Sequence, residues 1–217
     1  GTGSPIKRDI PKQYLDLNGK PLLYYSLQPF EDSFVSEIIL VTGTEWKEYC
    51  RTEIVEKFHL EKVRKIVSGG AQRYDSVYRG LCEAEGADYV YIHDGARPFL
   101  AKEILERARE AAEESDAAVA GMPVKDTIKI ADEKQFVKET PLRSSVWQIQ
   151  TPQVFSYDLI LEAYRKLFEK KEYEGITDDA MVVEKMMKVP VKLFQASYQN
   201  IKITTPEDLV LAEILLK

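Results

Sequence analysis

The alternation of short apolar runs with longer segments of helical spacing predicts an α/β fold with a mainly parallel sheet flanked by helices. Apolar, β-branched runs occur at 37–42, 65–67 and 89–93, and segments of helical pattern follow them at 45–58, 76–85 and 102–114. Apolar runs of this length are typical of strands that are buried on both faces. Repeated strand–helix units of about 30 residues imply a parallel sheet with helices on both sides.

The second half of the chain continues this alternation. The pattern predicts strands at 117–120, 191–195 and 200–203, and helices at 159–170, 178–187 and from Thr205 onward. The last helix has clear start signals, because Thr205 is an N-cap residue and Pro206 occupies the first helical position. Together the elements predict one domain over residues 1–217.

The alternation breaks between Pro123 and Trp147, where apolar residues are mixed with charges. The apolar residues of this segment are Ile128, Ile130, Phe136 and Val137. Their spacing predicts two antiparallel strands that turn near 131–134. Because a lone hairpin is not stable in water, we expect it to be a protruding arm, at about 123–147, that packs on a second subunit.

Composition excludes several classes of protein. The chain has 217 residues, 44% of them hydrophobic, and a formal net charge of −6, which argues against nucleic-acid binding. No apolar run approaches the ~20 residues needed to span a bilayer, and no signal peptide opens the chain. Two isolated cysteines, Cys50 and Cys82, argue for a reducing cytosol. We therefore expect a cytoplasmic protein without a membrane partner.

The segment after the third predicted strand carries the strongest local signal. The strand ends abruptly in His93-Asp94-Gly95-Ala96-Arg97-Pro98. In open α/β sheets, ligands bind beyond the carboxyl ends of the strands, so Asp94 and Arg97 are candidate ligand-binding residues. Taken alone, the segment is equally consistent with a strand-end turn that carries a surface ion pair.

Two glycine pairs are candidate phosphate or base contacts. Gly1 and Gly3 open the chain beside Ser4, and glycine-rich loops expose backbone N–H groups that bind phosphates. An expression-vector remnant explains the same residues equally well. Lys12, stiffened by Pro11, adds a nearby positive charge.

The second glycine pair lies at the start of a predicted helix. Gly69 and Gly70 precede Arg73 and Ser76, and such an N-terminus binds an anion or the edge of a base. An ordinary capped turn is the alternative.

Five further residues are candidates because of their surroundings. They are Thr127 after Asp126, Arg143, Thr151 in the segment Gln150-Thr151-Pro152-Gln153 to which Arg143 leads, Thr177 before two aspartates, and Lys202 within Ile201-Lys202-Ile203. Arg143 and Lys202 are also compatible with plain surface charges. A lysine in a central strand, however, is costly unless an anion accompanies it.

Seven short motifs together resemble one enzyme family. The chain carries PKQ, GGxxRxxSV, HDxARP, PVxDT, an arginine eight residues before TPQ, TDDA and NIKITTPEDL. They occur in the order found in the 2-C-methyl-D-erythritol 4-phosphate cytidylyltransferases of the non-mevalonate isoprenoid pathway. The likeness extends from Pro11 to the C-terminus and implies a Rossmann-like nucleotidyltransferase fold.

The resemblance implies a reaction and its ligands. The phosphate of a sugar-alcohol phosphate attacks the α-phosphate of CTP and releases pyrophosphate, with Mg²⁺ bridging the triphosphate oxygens. Asp94 is also the candidate for a metal contact. Such chemistry requires positioning and charge stabilisation more than covalent catalysis.

The same resemblance implies roles for the nucleotide-binding residues. Lys12 matches the lysine that stabilises the triphosphate and the pentavalent transition state. Gly70 and Ser76, with Gly69 and Arg73 beside them, match the cytosine region.

It also implies roles around the sugar. Gly95 lies near the ribose, and Asp94, Arg97 and Thr127 match residues that hold the sugar alcohol, with Thr177 as a further candidate. Lys202 matches the lysine that orients the attacking phosphate. Arg143 and Thr151 match residues that the arm supplies from the partner subunit of a homodimer.

One departure from the family lies at the N-terminus. The family begins with a hydrophobic strand and a loop arginine near the triphosphate, and Pro5 stands in that arginine's place here. Lys7 or Arg8 is a possible substitute, although neither matches residue for residue. Loss of a central strand would expose a long apolar edge, so we expect the N-terminus to be incomplete.

Two alternative functions stay open at this point. A ribitol 5-phosphate cytidylyltransferase has the same chemistry with another sugar alcohol. A silent nucleotide-binding module is the other, although the presence of Lys12, Arg143 and Lys202 argues against it.

Overall fold

The computed structural model describes residues 10–216 and shows an α/β chain of two compact units. Within this range, the first unit comprises the residues up to Glu83, then Asp94–Lys102, and those from Gln199 onward. The second unit comprises Ala84–His93 and Glu103–Tyr198. The candidate residues predicted from the sequence are thus divided between the two units. Gly1 and Gly3, with Pro5, Lys7 and Arg8, lie outside the described residues.

The first unit contains two small sheets. Its strands are β1 Asp16–Leu17, β2 Lys20–Pro21, β3 Ile38–Thr42 and β4 Val63–Ser68. β1 pairs antiparallel with β2, and β3 pairs parallel with β4. The predicted strands at 37–42 and 65–67 are therefore confirmed with small changes at their ends.

Its helices are α1 Leu22–Glu31, α2 Lys47–Tyr49, α3 Arg73–Cys82 and α7 Pro206–Leu215. The predicted helix at 45–58 is irregular, because α2 continues into a π-helical stretch over Cys50–Glu56. The start of α7 follows the sequence closely. Thr205 and Asp208 form a reciprocal capping box, which supplies partners for N–H groups that a helix start leaves unbonded.

The second unit is built on a four-stranded sheet in the order β10-β6-β9-β5. Its strands are β5 Tyr89–Ile92, β6 Ala117–Pro123, β9 Trp147–Ser156 and β10 Lys192–Gln195. β10 runs parallel to β6, whereas β9 is antiparallel to both of its neighbours. The fold class is confirmed, but β9 is a strand that the sequence patterns did not reveal.

Helices α4 Lys102–Ser115, α5 Tyr157–Lys170 and α6 Asp179–Met187 complete this part of the chain. The apolar faces of α5 and α6 are buried together with β6, through residues such as Ile160, Leu167 and Val183. Sustained burial of apolar surface is the main stabilising contribution to such a layer. In the part of the chain that the structure describes, no helix is both long and apolar enough to cross a membrane.

The segment 123–147 contains two short strands, β7 Ile130–Ala131 and β8 Val137–Glu139, which pair antiparallel. Its turn is held by Asp132, whose N–H donates to the Phe136 carbonyl at 2.9 Å. All residues from Lys125 to Thr140 are exposed. We call this segment the arm from here on.

One predicted strand is wrong. Residues 200–203 are not a β-strand, and Lys202 is therefore not the buried lysine of a central strand. Instead, the segment is held by single contacts such as the one from the Ile203 N–H to the Ala96 carbonyl at 2.8 Å. The Lys202 side chain is 44% exposed, so its charge does not carry the desolvation cost expected of a lysine in a central strand.

Candidate active site

Three cations surround the carboxylate of Asp94 in the first unit. The Lys202 ammonium lies 2.9 Å from one carboxylate oxygen, and the Arg73 and Arg97 Nε atoms lie 3.6 Å from the carboxylate. The side chains of Asp94 and Arg97 are only 17% and 12% exposed. One carboxylate against three cations leaves an excess of positive charge, which suits a polyanionic ligand.

The electrostatics of this cluster favour an ionised Asp94. Burial alone raises the pKa of its carboxyl, but the charge and hydrogen bond of Lys202, with the charges of Arg73 and Arg97, outweigh burial and hold the pKa below its ordinary value. Burial lowers the pKa of Arg97, and Asp94 opposes that shift. The cluster is therefore charged at neutral pH.

Backbone contacts hold the segment after β5 against the segment that carries Lys202. The Arg97 N–H donates to the Asp94 carbonyl at 3.0 Å and closes a turn. The Arg97 guanidinium donates to the carbonyl of Asn200 at 2.7 Å. Asn200 is fully buried, so this contact is fixed from both sides. The turn predicted from HDGARP thus brings Lys202 to Asp94.

The glycine pair forms a tight turn at the start of α3. Ser76 accepts a hydrogen bond from the Gly70 N–H at 3.1 Å, and the Gly69 N–H donates to the Thr42 carbonyl at 2.7 Å. Gln72 and Asp75 form a reciprocal capping box at the start of the helix. Arg73 is the first helical residue, so this turn carries one of the cations that face Asp94.

A side chain at either glycine would collide with this turn. A Cβ atom at Gly70 would lie 2.2 Å from the Cβ of Asp75, and one at Gly69 would lie 2.9 Å from the Ser76 hydroxyl. The Gly69 carbonyl accepts from Arg79 at 2.8 Å. Sequence reasoning missed Arg79, since an arginine on an exposed helix face has no distinctive pattern.

Lys12 is exposed at the start of a short 3-10 turn over Lys12–Tyr14. The turn is anchored by Tyr14, which is 5% exposed, stacks on Trp46 with ring centroids 4.6 Å apart, and is hydrogen-bonded to the Thr42 hydroxyl. Burial raises the pKa of Tyr14, so its hydroxyl stays protonated. The carbonyl of Thr42 binds Gly69. Tyr14 therefore links the Lys12 turn to the glycine turn, a role that the sequence did not reveal.

Gly95 also lies in the first unit, between Asp94 and Ala96. Its carbonyl accepts from the Ser26 hydroxyl at 3.0 Å. A Cβ atom there would lie 2.9 Å from Leu23, so the turn packs closely on α1. This contact explains the need for a glycine at this position.

The candidates Thr127 and Arg143 lie in the second unit, in the arm, and both are exposed. The Arg143 guanidinium donates to the Lys125 carbonyl at 3.3 Å. This contact places Arg143 beside the chain segment that carries Thr127. Arg143 is thus hydrogen-bonded to the backbone two residues before Thr127.

Thr151 lies where β9 departs from regular pairing. β6 pairs with Gln153 and with Ile149, and the irregularity lies between these contacts. Bulges re-aim side chains, and the Thr151 hydroxyl lies 3.0 Å from Nδ1 of His93. Thr151 is 4% exposed, so the pair is held firmly.

Thr177 is exposed and comes directly before the N-cap of α6. Gln153 holds this helix start, because its amide donates to Asp178 at 2.9 Å and accepts from the N–H groups of Asp179 and Ala180. Gln153 is 1% exposed. It therefore ties the strand that carries Thr151 to the loop that carries Thr177.

The metal candidate finds little support in this geometry. Among residues 10–216 there is no group of three or more His, Cys, Asp or Glu side chains that fits a metal ion. Asp94 faces three cations, which compete with a metal for its oxygens. These residues do not form a protein-held magnesium site.

Comparison with known proteins gives one consistent result. The family model IspD, described as 2-C-methyl-D-erythritol 4-phosphate cytidylyltransferase, matches residues 1–217. The protein of that name from Lachnospira eligens is 52% identical over 218 residues, covering 100% of this chain and 96% of that protein. The one from Clostridium botulinum (strain Eklund 17B) is 52% identical over 217 residues, covering 100% and 95%.

Solved structures similar to this chain carry the same enzyme name or that of the corresponding synthase. The 4-diphosphocytidyl-2C-methyl-D-erythritol synthase of Anaerococcus prevotii superposes with a TM-score of 0.87 at 32% identity, covering 95% of this chain and 90% of that one. The 2-C-methyl-D-erythritol 4-phosphate cytidylyltransferase of Thermus thermophilus gives 0.79 at 33% identity, covering 95% and 94%.

Proposed function

The chain belongs to the 2-C-methyl-D-erythritol 4-phosphate cytidylyltransferase family. We propose the following roles for its residues in the transfer of CMP from CTP to the sugar-alcohol phosphate. It is an enzyme, a nucleotidyltransferase that uses CTP and 2-C-methyl-D-erythritol 4-phosphate. The ribitol-phosphate enzyme and the silent module are not favoured by these matches. The observation that best supports the assignment of roles is the excess of cations around Asp94 next to the glycine turn.

In the proposed reaction, a phosphate oxygen of methylerythritol 4-phosphate attacks the α-phosphorus of CTP. The bond from that phosphorus to the oxygen that bridges it to the β-phosphorus breaks, and pyrophosphate leaves with the electron pair. The product is the CDP-linked methylerythritol. Catalysis of such a step comes from positioning and from stabilising the spreading negative charge.

The glycine turn and Lys12 are proposed to bind CTP. The turn at Gly69 and Gly70 offers a narrow approach to a base edge, because neither position has room for a side chain. Lys12 is exposed on an anchored turn of the same unit, so its ammonium is available to phosphate oxygens. Gly95 is assigned to the ribose side of the nucleotide.

Lys202 and Arg97 are proposed to receive the polyol phosphate. Lys202 is 44% exposed while it contacts Asp94, so it is accessible to an incoming phosphate. Asp94 keeps the ammonium and guanidinium in place and offers an acceptor for a sugar hydroxyl. Arg143, Thr127 and Thr151 are assigned to the same substrate.

The arm is proposed to form a homodimer and to supply Arg143 to the partner's site. Its exposed apolar side chains include Phe136 at 70%, Val137 at 60% and Leu142 at 73% exposure. Exposed apolar groups concentrated on one protrusion mark an association surface. A two-fold homodimer is the commonest way for one chain to cover such a surface.

Mg²⁺ is proposed to be held by the triphosphate oxygens rather than by a protein cage, since hard cations prefer oxygen ligands. When bound it neutralises charge on the departing pyrophosphate.

We propose a cytoplasmic location, because Cys50 and Cys82 are both free and free cysteines are typical of a reducing compartment.

Pyrophosphate release tests the proposed function. The enzyme is supplied with CTP, Mg²⁺ and either methylerythritol 4-phosphate or ribitol 5-phosphate, and each component is omitted in turn. We expect release only when CTP and methylerythritol 4-phosphate are both present. Faster release with ribitol 5-phosphate would assign the chain to the other sugar alcohol.

A further inference from the structure

Residues 196 and 197, directly after β10, are hydrogen-bonded to the central strands of the second unit. The Ala196 N–H donates to the Gly121 carbonyl at 3.0 Å. The buried side chain of Gln150 donates to the Ser197 carbonyl at 2.9 Å. These contacts fix the position from which the next residue, Tyr198, projects.

Tyr198 makes two contacts with the root of the arm, residues 123–127. Its hydroxyl donates to the Pro123 carbonyl at 2.8 Å. The Lys125 ammonium lies 3.7 Å from the centre of its ring, within the distance of a cation–π interaction. One side chain of the globular unit thus holds both the backbone and a charged side chain of the arm root.

The arm leaves the sheet at this point. Pro123 pairs with Trp147 at the last position of β6, and the Val124 N–H donates to the Val146 carbonyl at 3.1 Å. Beyond this pair every residue from Lys125 to Thr140 is exposed. Because the arm beyond its root is not packed on the unit that carries it, contacts at the root set its direction.

Lys125, which contacts the Tyr198 ring, also contacts Arg143. The Lys125 carbonyl accepts from the Arg143 guanidinium at 3.3 Å. The Tyr198 hydroxyl holds the backbone two residues before this acceptor, at the Pro123 carbonyl, and the cation–π contact holds the side chain of Lys125 itself. A change in the Tyr198 contacts therefore moves the acceptor that orients Arg143.

We infer that Tyr198 is a positioning residue for the polyol phosphate, acting through the arm root on Arg143. The inference rests on the proposed role of Arg143 in binding that substrate. Tyr198 itself is 42% exposed, and its substitution does not open a cavity in the core. A misplacement of about 1 Å in a binding group is enough to cost on the order of 10²-fold in rate.

Three substitutions separate the contacts. Tyr198→Phe removes the hydroxyl and keeps the ring, whereas Tyr198→Leu removes both. Lys125→Met removes the ammonium and keeps the carbonyl that Arg143 contacts. Tyr89→Phe, on β5, and Lys170→Met, on the exposed end of α5, are matched controls for the loss of a hydroxyl and of a charge.

We expect Tyr198→Leu to raise the KM for methylerythritol 4-phosphate roughly three- to tenfold, as befits a lost hydrogen bond and a lost cation–π contact. Tyr198→Phe and Lys125→Met have smaller effects of the same kind. The KM for CTP stays within about twofold, since Arg143 is assigned to the polyol phosphate and not to CTP. The control variants match the unaltered enzyme. An unchanged KM for the polyol phosphate in Tyr198→Leu would overturn the inference, as would a larger rise in the KM for CTP.

The double variant Tyr198→Leu with Arg143→Ala tests whether Tyr198 acts through Arg143. If Tyr198 acts through Arg143, Tyr198→Leu raises the KM by less than about twofold in the Arg143→Ala background, because coupled residues are not additive. If the KM of the double variant rises by the full product of the two single effects, Tyr198 does not act through Arg143. Turnover of the unaltered enzyme with methylerythritol 4-phosphate reports separately on the proposed function.

Hydrogen exchange tests the positioning without substrate. We expect the Val124 amide to exchange faster in Tyr198→Leu than in the unaltered enzyme and in Tyr89→Phe, because its bond to Val146 lies at the arm root. Identical exchange in all three proteins would show that Tyr198 does not hold the arm, whatever the kinetics.

Discussion

The ammonium of Lys202 lies 2.9 Å from the carboxylate of Asp94, although the two residues are far apart in sequence. Arg73 and Arg97 face the same carboxylate. Asp94 therefore gathers three cations and compensates only one of them. We interpret the cluster as a preformed phosphate site, in which an incoming phosphate takes up the remaining positive charge.

The pH dependence of stability tests the charge state of Asp94. Its pKa lies below the ordinary value of about 3.9, so the unfolded chain binds this proton more tightly than the folded protein. The stabilisation is therefore present above the unfolded pKa and is lost as the pH falls through the folded pKa. We expect Asp94→Asn to weaken the acid-dependent fall in the free energy of unfolding, measured by urea denaturation between about pH 3 and 7.

Asp208→Asn is a useful comparison for that measurement. The pKa of Asp208 is lowered to about 2 by hydrogen bonds from the backbone of Thr204 and Thr205. Loss of this carboxylate therefore also weakens the fall in the free energy of unfolding at low pH. Asp208 lies in the cap of α7, however, and we expect no effect on the KM for methylerythritol 4-phosphate. Equal kinetic losses in both variants would contradict a specific role for Asp94.

The HDGARP turn and the cap of α7 were predictable because each depends on residues that are close in sequence. Thr205 and Asp208 form the capping box within a single turn of chain. The contact from Arg97 to Asn200 is a long-range one, and no pattern in the sequence predicted it. Local signals thus identified the groups, whereas the fold decides which groups meet.

β9 was missed for a physical reason. Its sequence contains Pro152, and prolines are rare inside central strands because they lack an N–H donor. The register irregularity between Val119 and Gly121 accommodates this part of the strand. Lys202 was wrongly placed in a strand because the two flanking isoleucines imitate strand alternation. The segment is instead held by isolated contacts, such as the one from the Ile203 N–H to the Ala96 carbonyl.

Truncations of Lys12 and Arg143 are expected to fail differently. We propose that the charge of Lys12 acts in the transition state. We therefore expect Lys12→Ala to lower kcat and kcat/KM together, by roughly 10²–10³-fold, and to leave the affinity for substrates nearly unchanged. Arg143→Ala chiefly raises the KM for methylerythritol 4-phosphate and spares the KM for CTP. Steady-state kinetics decide between these patterns. Weakened CTP binding with an unchanged polyol phosphate KM would refute the assignment of Arg143.

Nucleotide choice tests the glycine turn. We expect CTP to be preferred over UTP by at least roughly tenfold in kcat/KM, because one unpaired buried polar group costs about 1–3 kcal/mol.

A substitution in the glycine turn tests the same assignment. Gly70→Ala should raise the KM for CTP, since the added Cβ would lie 2.2 Å from the Cβ of Asp75. Gly43→Ala is the control, because it meets only the end of the Glu45 side chain. Equal use of CTP and UTP would show that the base lies elsewhere.

Sedimentation of arm variants tests the proposed association surface. The unaltered chain is expected to be a dimer at micromolar concentration, and Phe136→Ser with Leu142→Ser to dissociate it. Val210→Ser, at a residue that is 59% exposed on α7, is the matched control and should leave the dimer intact. A fully active monomer would contradict the proposal.

Complementation tests whether the arm acts on the partner's site. Subunits carrying Lys12→Ala are mixed with subunits carrying Arg143→Ala. If Arg143 acts in trans, one of the two sites in a mixed dimer contains both intact residues, and activity should recover. No recovery in verified mixed dimers would indicate that Arg143 acts within its own subunit.

The position of isotopic oxygen in the product tests the reaction itself most directly. Methylerythritol 4-phosphate labelled with ¹⁸O in its phosphate group is incubated with CTP, and the products are separated and examined by ³¹P NMR and mass spectrometry. Attack of the polyol phosphate on the α-phosphorus predicts that ¹⁸O occupies the bridge of the CDP-linked product and that pyrophosphate is unlabelled. Labelled pyrophosphate, or CMP formed without any CDP-linked product, would contradict the account.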